Sequence, residues 1–330
     1  MNLSFLEFFK SARPGTVFVT THVNADPDAV ASALLLREVL KSMGFTTRVC
    51  FPEGPSKLSK KLIERFGISY NQNCSCSDAE YVVVCDTSNE IMLSEVKECL
   101  EGRHVVVVDH HEHKGSIAER AALALVEREA SAVTLAVEIA QIRGLRLGRE
   151  LSTLALAGIV FDTKRFALAT PRTLRAAAWL LEQGGSLEEA LISLEEEPEY
   201  AERIARLKAA QRAMILDVCG YLVAVSEVSS FEASAARALV SLGADLAIVV
   251  GGKEGEVRAS SRLSRDLAKL GVDLSDIARS VASVLGGEGG GHTGAAGVKV
   301  IGKAHRSALV RELLQETLTR ILARCARADV

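Results

Sequence analysis

The chain's 330 residues suffice for two ordinary domains, and a composition of 48% hydrophobic and 25% charged residues is that of a globular protein with a sizeable core. Its 39 Lys and Arg against 42 Asp and Glu leave a net charge of −3. That balance argues against a protein that coats long nucleic acids, which needs a marked basic excess, and 5% aromatics argue against a stacking platform for long single strands. No apolar run reaches bilayer-spanning length; the best, 121–140, is broken by Glu127, Arg128 and Glu129. The opening MNLSFLEFFKSARPG carries Glu7 and Lys10 inside its apolar stretch, unlike a secretory signal. Seven scattered cysteines read as free, mostly buried thiols in a reducing compartment, and Cys74 with Cys76 lacks a second ligand pair for zinc. The expectation is a cytoplasmic protein.

In chain order, TVFVTT (16–21) predicts a strand, 27–44 a helix ended by Gly44, and 46–51 a second strand. A helix near 56–66 leads to YVVVC (81–85), and VVVV (105–108) follows. Fully apolar strands separated by helices predict a parallel sheet covered on both faces. From 130 to 194 the pattern is helical, with segments at 131–143, 149–161 and 171–183. A long helical stretch, 198–217, is expected to carry the chain into a second domain; the glutamates at 195–197 before it read as a solvated face. In that domain strands are expected at 221–226, 246–250, 257–261 and 298–301, and helices at 231–242, 273–285 and 303–327. The fold class is therefore α/β in two domains: a parallel-sheet domain at 1–195, a helical connector at 196–217, and a smaller α/β domain at 218–330. The reactive groups are expected to face the cleft between the domains.

Those reactive groups stand directly after the strands: His22, Asp26 and Asp28 after the first, Asp86 after YVVVC, and Asp109-His110-His111 after VVVV. Asp162 ends the helix at 149–161. Ligand sites of open α/β sheets lie outside the carboxyl ends of the strands. A single Asp there is usually a helix cap, and a lone His is usually structural. Several carboxylates and imidazoles at one sheet edge, however, repel and desolvate each other unless cations neutralise them. Carboxylates with a minority of imidazoles and no thiolate suit Mn²⁺, with Mg²⁺ or Co²⁺ as substitutes, and Asp86 is placed to bridge two ions.

HVNADPDAVAS, VVVCDTSN, VVVVDHHEHK and GIVFDT resemble, in order, the four motifs of the DHH phosphoesterases. SSRLS and GGEGGGHTGAAG resemble the two signatures of the DHH-associated substrate domain. The resemblance implies that His22 and Asp26 hold one Mn²⁺, that Asp28, His110 and Asp162 hold a second, and that Asp86 bridges both. It also implies that His111 contacts phosphate and that Asp109 orients His110. Where the family usually writes P-D-G-D, this chain has Ala25-Asp26-Pro27-Asp28, and the stiffer Pro27 is expected to bear on local geometry.

Gly289, Gly291 and Gly294 fit G-x-G-x-x-G, but they follow a helix and precede a strand, the reverse of a dinucleotide-binding context. The resemblance makes Arg262 and His292 substrate-holding groups, with Gly290 and Gly291 giving close backbone approach and Ser260 or Ser261 as further contacts. The implied activity is hydrolysis of a short nucleotide, such as an oligoribonucleotide or a linear dinucleotide like pApA. Long duplexes and membranes are not expected partners, and a homodimer is common among look-alikes. Rival readings are a pAp phosphomonoesterase, a manganese pyrophosphatase, and a non-catalytic nucleotide sensor that would have lost ligands.

Overall fold

The computed structural model describes residues 3–71, 74–195, 198–253, 255–302 and 305–328. The chain divides into two compact units, Met1–Glu196 and Glu197–Val330. In the first, α1 (Leu3–Ser11) precedes β1 (Thr16–Thr20), α2 (Pro27–Ser42), β2 (Thr46–Cys50), α3 (Lys57–Arg65) and β3 (Tyr81–Cys85). A 3₁₀ segment (Glu90–Leu100), β4 (His104–Asp109), α4 (Ser116–Arg120) and β5 (Leu123–Val126) follow. Four helices complete the unit: α5 (Ala132–Arg143), α6 (Arg149–Asp162), α7 (Pro171–Glu182) and α8 (Leu187–Ser193).

The five strands are all parallel, in the order β2-β1-β3-β4-β5. Alternation along each strand feeds two cores: Val83, Cys85, Val106 and Val108 enter one, Val82, Val84, Val105 and Val107 the other. Burial on both faces is why these strands read as unbroken apolar runs. Strand order reverses between β1 and β3, so the crevice beyond their carboxyl ends is the switch point where ligands of such sheets bind. α6 reaches that crevice by crossing α2 and α5 closely at Gly158. A Cβ there would stand 3.0 Å from the Pro27 carbonyl oxygen and 3.0 Å from a Val133 methyl.

The second unit holds α9 (Tyr200–Arg212), β6 (Met214–Val218), β7 (Tyr221–Glu227), α10 (Glu232–Ser241), β8 (Leu246–Lys253) and β9 (Glu256–Leu263). It closes with α11 (Arg265–Lys269), α12 (Leu274–Leu285), β10 (Glu288–His292), β11 (Ala295–Ile301) and α13 (Arg306–Ala328). Its mixed sheet runs β10-β11-β9-β8-β7-β6, and only β7 and β8 pair in parallel.

Several expectations change. The helix expected to run on to 217 ends at Arg212, and Met214–Val218 pairs with β7 as an edge strand. β5 was hidden in the apolar run at 121–140. The glycine cluster is strand β10, held by pairing with β11 rather than by any propensity of its own. Gly289 is there for α12: a Cβ on it would stand 2.2 Å from the Ala278 carbonyl oxygen. The cysteine reading is also corrected. Cys50 is bonded to Cys74 and Cys76 to Cys99, because the β2–β3 connection folds back over the end of β2 and the 3₁₀ segment; Cys85 and Cys219 are free. Glu196, Glu197 and Lys303, named in the sequence reading, lie outside the described residues. Among the described residues no helix is long and apolar enough to cross a membrane.

Candidate metal centre

His22 follows β1, Asp86 follows β3, Asp109 ends β4 with His110 and His111 behind it, and Asp162 ends α6. Asp26 is the N-cap of α2; its Oδ1 accepts from the Asp28 and Ala29 amides, each at 3.0 Å. Pro27 takes the first helical position, where a missing N–H costs nothing, so it fits without disturbing either aspartate. Asp28 is wholly buried, its carboxylate accepting from the Ala132 and Val133 amides at the start of α5, at 2.5 and 3.2 Å.

These groups converge. The ligand-type atoms of His22, Asp26 and Asp86 lie within 4.8 Å of one another, as do those of Asp28, His110 and Asp162, and those of Asp86, His110 and His111. Asp86 joins the clusters: its Oδ2 lies 3.5 Å from His22 Nε2, and its Oδ1 lies 3.1 Å from His110 Nε2. His110 Nε2 is also 3.3 Å from Asp162 Oδ2. Asp86 sits at φ +60, a strained left-handed backbone held by the bond from its amide to the Val108 carbonyl. Its Oδ1 is buried with no aligned hydrogen-bond donor. An orphaned carboxylate oxygen flanked by imidazoles is what a cation site leaves when the cation is subtracted.

Each imidazole is oriented for metal binding. His22 Nδ1 is 2.8 Å from the Val23 carbonyl, His110 Nδ1 is 2.9 Å from the Glu129 carbonyl, and His111 Nδ1 is 2.6 Å from Asp109 Oδ1. Those oxygens accept only, so each Nδ1 carries the proton and each Nε2 is turned outward as a ligand or donor. One expected role changes here. Asp109 orients His111, not His110, because residues two apart at a strand end share a side; His110 is held by Glu129 from the β5–α5 connection.

The electrostatics ask for positive charge. Burial, then the Asp86 charge, raises Asp26 and raises Asp28 well above the usual carboxylate range. Burial with Asp86 and Asp26 pushes Asp162 up to about 6. Burial works against protonation of the imidazoles, but Asp86 overrides it and carries His22 to about 9 and His110 to about 10. Burial works against Asp86's charge too, yet the facing imidazoles hold its carboxyl below its usual value. Protons thus occupy the metal-free site where cations fit, and the residues present suit oxygen- and imidazole-seeking divalent ions.

The cluster floors a cavity of about 540 Å³, within the range for small ligands. Thr87, beside Asp86, also lines it, as do Asn89, Met92, His113 and Lys114, which were not singled out from sequence. The signal was their place inside the DTSN and HHEHK segments. Those segments are held together at Gly115, whose amide donates to Ser88 Oγ at 2.9 Å.

In the second unit, Ala247, Arg262, Ala295 and His292 form one register row across β8, β9, β11 and β10, so Arg262 and His292 share a face. Ser260 and Gly290 stand two residues along on that same face, and a Cβ on Gly290 would meet nothing within 4 Å. Arg262 Nε is buried without a partner. Ser261 and Gly291 lie on the opposite face, with Ser261 buried, so Ser260 replaces Ser261 as the serine beside Arg262.

This pairing of a five-stranded parallel unit carrying Asp and His at its switch point with a mixed-sheet unit matches known proteins. The DHH family N-terminal domain matches residues 16–159 and the DHHA1 domain residues 222–321. The chain belongs to the DHH family of phosphoesterases. An uncharacterized protein of Methanocaldococcus jannaschii, MJ0988, is 31% identical over 300 residues, covering 90% of this chain and 89% of that one. The bifunctional oligoribonuclease and PAP phosphatase NrnA of Bacillus subtilis is 28% identical over 173 residues, 51% of this chain and 53% of its own. An exopolyphosphatase-related protein of Bacteroides fragilis has the same fold, with a TM-score of 0.59 at 14% identity over 98% of this chain and 97% of that one.

Proposed function

We propose that the chain is a two-metal, Mn²⁺-dependent phosphoesterase of the cytoplasm that hydrolyses short nucleotides, either oligoribonucleotides of a few residues or linear dinucleotides. The observation that carries this reading is Asp86, whose two oxygens face two separate clusters while one of them lacks an aligned donor. His22, Asp26 and Asp86 would hold one ion, and Asp86, Asp28, His110 and Asp162 the other. Bound there, such ions supply an acidified water and neutralise charge on phosphoryl oxygens.

The remaining roles fall to the chain's own groups. His111 is 59% exposed at its side chain and turns Nε2 outward, with Asp109 fixing its tautomer and favouring its protonated form. It is the phosphate donor of the cavity. Lys114 adds a cation at the wall, and Thr87 and Asn89 add neutral polar groups. In the second unit, Arg262 offers a bidentate fork to phosphate, beside Ser260, His292 and the open backbone at Gly290. Paired cysteines do not exclude the cytoplasm, since intracellular proteins of hyperthermophiles carry them.

The test is a panel with Mn²⁺: pApA, cyclic di-AMP, pAp, pyrophosphate and 5′-labelled RNA of graded length. Turnover should favour the short diesters, and kcat/KM should plateau or fall beyond about four to five nucleotides, a typical single-strand site size. A shallow salt slope should accompany it, since few phosphates are neutralised. Rates that climb with length and drop steeply with salt would replace this reading with a processive exonuclease, and turnover of pyrophosphate alone would replace it with a pyrophosphatase.

A further inference from the structure

Glu129 sits in the β5–α5 connection with its side chain only 3% exposed, although it touches none of the clustered site atoms through that carboxylate. Its main chain meets His110 twice: the carbonyl accepts from His110 Nδ1, and the amide donates to the His110 carbonyl at 3.1 Å. Three residues on, the Ala132 and Val133 amides hold Asp28. One short segment therefore orients two of the three side chains in the second cluster.

The carboxylate anchors that segment. Its Oε1 accepts from the Ala130 amide at 2.7 Å, from Thr170 Oγ1 at 2.6 Å and from Thr173 Oγ1 at 3.0 Å, while Arg172 Nε stands 3.7 Å from Oε2. Thr170 and Thr173 form the capping box that starts α7. Residues 163–170 connect that cap to Asp162, the third member of the cluster. Arg172 is itself clamped to Glu138 and to Glu127, at 2.6 and 2.8 Å. The connection carries its own strain: Lys164, Arg165 and Phe166 are three successive non-glycine residues at positive φ.

We infer that Glu129 is a positioning residue for the second cation: through its Thr170–Thr173 anchor it fixes the His110 imidazole with Nε2 outward, and fixes the spacing of Asp28 and Asp162 around it. The inference rests on the two-metal reading. It assigns Glu129 to one ion only, because among the described residues His22 is held by the Val23 carbonyl and Asp26 by the Asp28 and Ala29 amides, not by Glu129.

The test is Mn²⁺ uptake by Glu129→Ala and by the milder Glu129→Gln, which keeps an acceptor oxygen for the two threonines. Stoichiometry is read by calorimetric titration and elemental analysis, and the exchange-coupled signal of a manganese pair by electron paramagnetic resonance. Glu138→Gln, which disturbs Arg172 without touching the β5–α5 segment, is the control. The unaltered protein and the control should bind two ions and show the coupled signal. Glu129→Ala should retain one ion at unaltered affinity and lose the coupled signal. Glu129→Gln should bind its second ion about 10-fold more weakly, the lower end of what groups behind a metal ligand contribute. If both Glu129 variants bind two ions as tightly as the unaltered protein, the positioning role is wrong and the two-metal reading stands. If they lose both ions together, or the control loses as much, Glu129 is general scaffolding and the inference fails. If the unaltered protein itself binds fewer than two, the two-metal reading falls and this inference with it.

Discussion

The two units present their chemistry in opposite ways. The first collects groups from the ends of β1, β3, β4 and α6, buries most of them, and ties every imidazole to an acceptor. The second lines Arg262 and His292 along one register row and leaves a buried Arg262 nitrogen without a partner. A group that must hold a cation is fixed beforehand, since a loosely held ligand loses affinity. A group that must meet a ligand from solution is left with donors to spend on it.

The largest expected effect tests the first half of that contrast. Asp86→Ala should lose both ions in elemental analysis and lower kcat by roughly 10⁴-fold, the scale for removing one member of a group that acts as a unit. Full metal content in this variant would break the bridge assignment. A smaller effect belongs to the second unit. Arg262→Ala should lower kcat/KM by roughly 10- to 150-fold, the worth of a charge-assisted hydrogen bond, with metal content unchanged. Ser261→Ala, on the buried face, should leave kcat/KM near that of the unaltered protein, and a large loss there would reverse the choice of Ser260.

Acidity sharpens the contrast further. His22 and His110 hold protons up to about 9 and about 10 in the metal-free protein, whereas unfolded imidazoles titrate near 6.5. Between those values the folded state binds more protons than the unfolded one, so the histidines' contribution to metal-free stability should be full below 6.5 and be lost as pH rises toward 9–10. Asp162, held protonated to about 6, adds a loss of the same sign lower down. Thermal melts of stripped and Mn²⁺-loaded protein should therefore diverge as pH rises, and loading near neutral pH should release about two protons. Parallel melts would indicate that the imidazoles are not the ligands.

What the sequence revealed follows from what each residue's neighbours demand. YVVVC and VVVV announced β3 and β4 because both faces of that sheet are covered, and the reactive groups stood next to them in the chain. β10 was illegible, since Glu288–His292 is three-fifths glycine and becomes a strand only through β11. The partner of His110 was illegible for a related reason. It is a main-chain carbonyl nineteen residues away, and any residue type at 129 has one. Ser260 shares a face with Arg262 because the two stand two residues apart in one strand, a relation hidden while that strand was expected to end at 261, short of Arg262. The cysteine pairs joined positions 24 and 23 residues apart, a relation that spacing does not specify.

Those two cross-links also bear on how the first unit assembles. β3 must pair with β1 although β2 and α3 intervene in the chain, so Val84 meets Thr20 only after a long excursion. Cys50–Cys74 short-circuits that excursion. Closure entropy grows only with the logarithm of loop length, so the search is eased by roughly a few tenths of a kcal/mol. The same links remove far more freedom from the denatured chain, about 3.5 kcal/mol each for loops of this size. They act on the denatured chain more than on any native contact, so reductant should lower the melting temperature of the first unit while its strand pairing stays as it is.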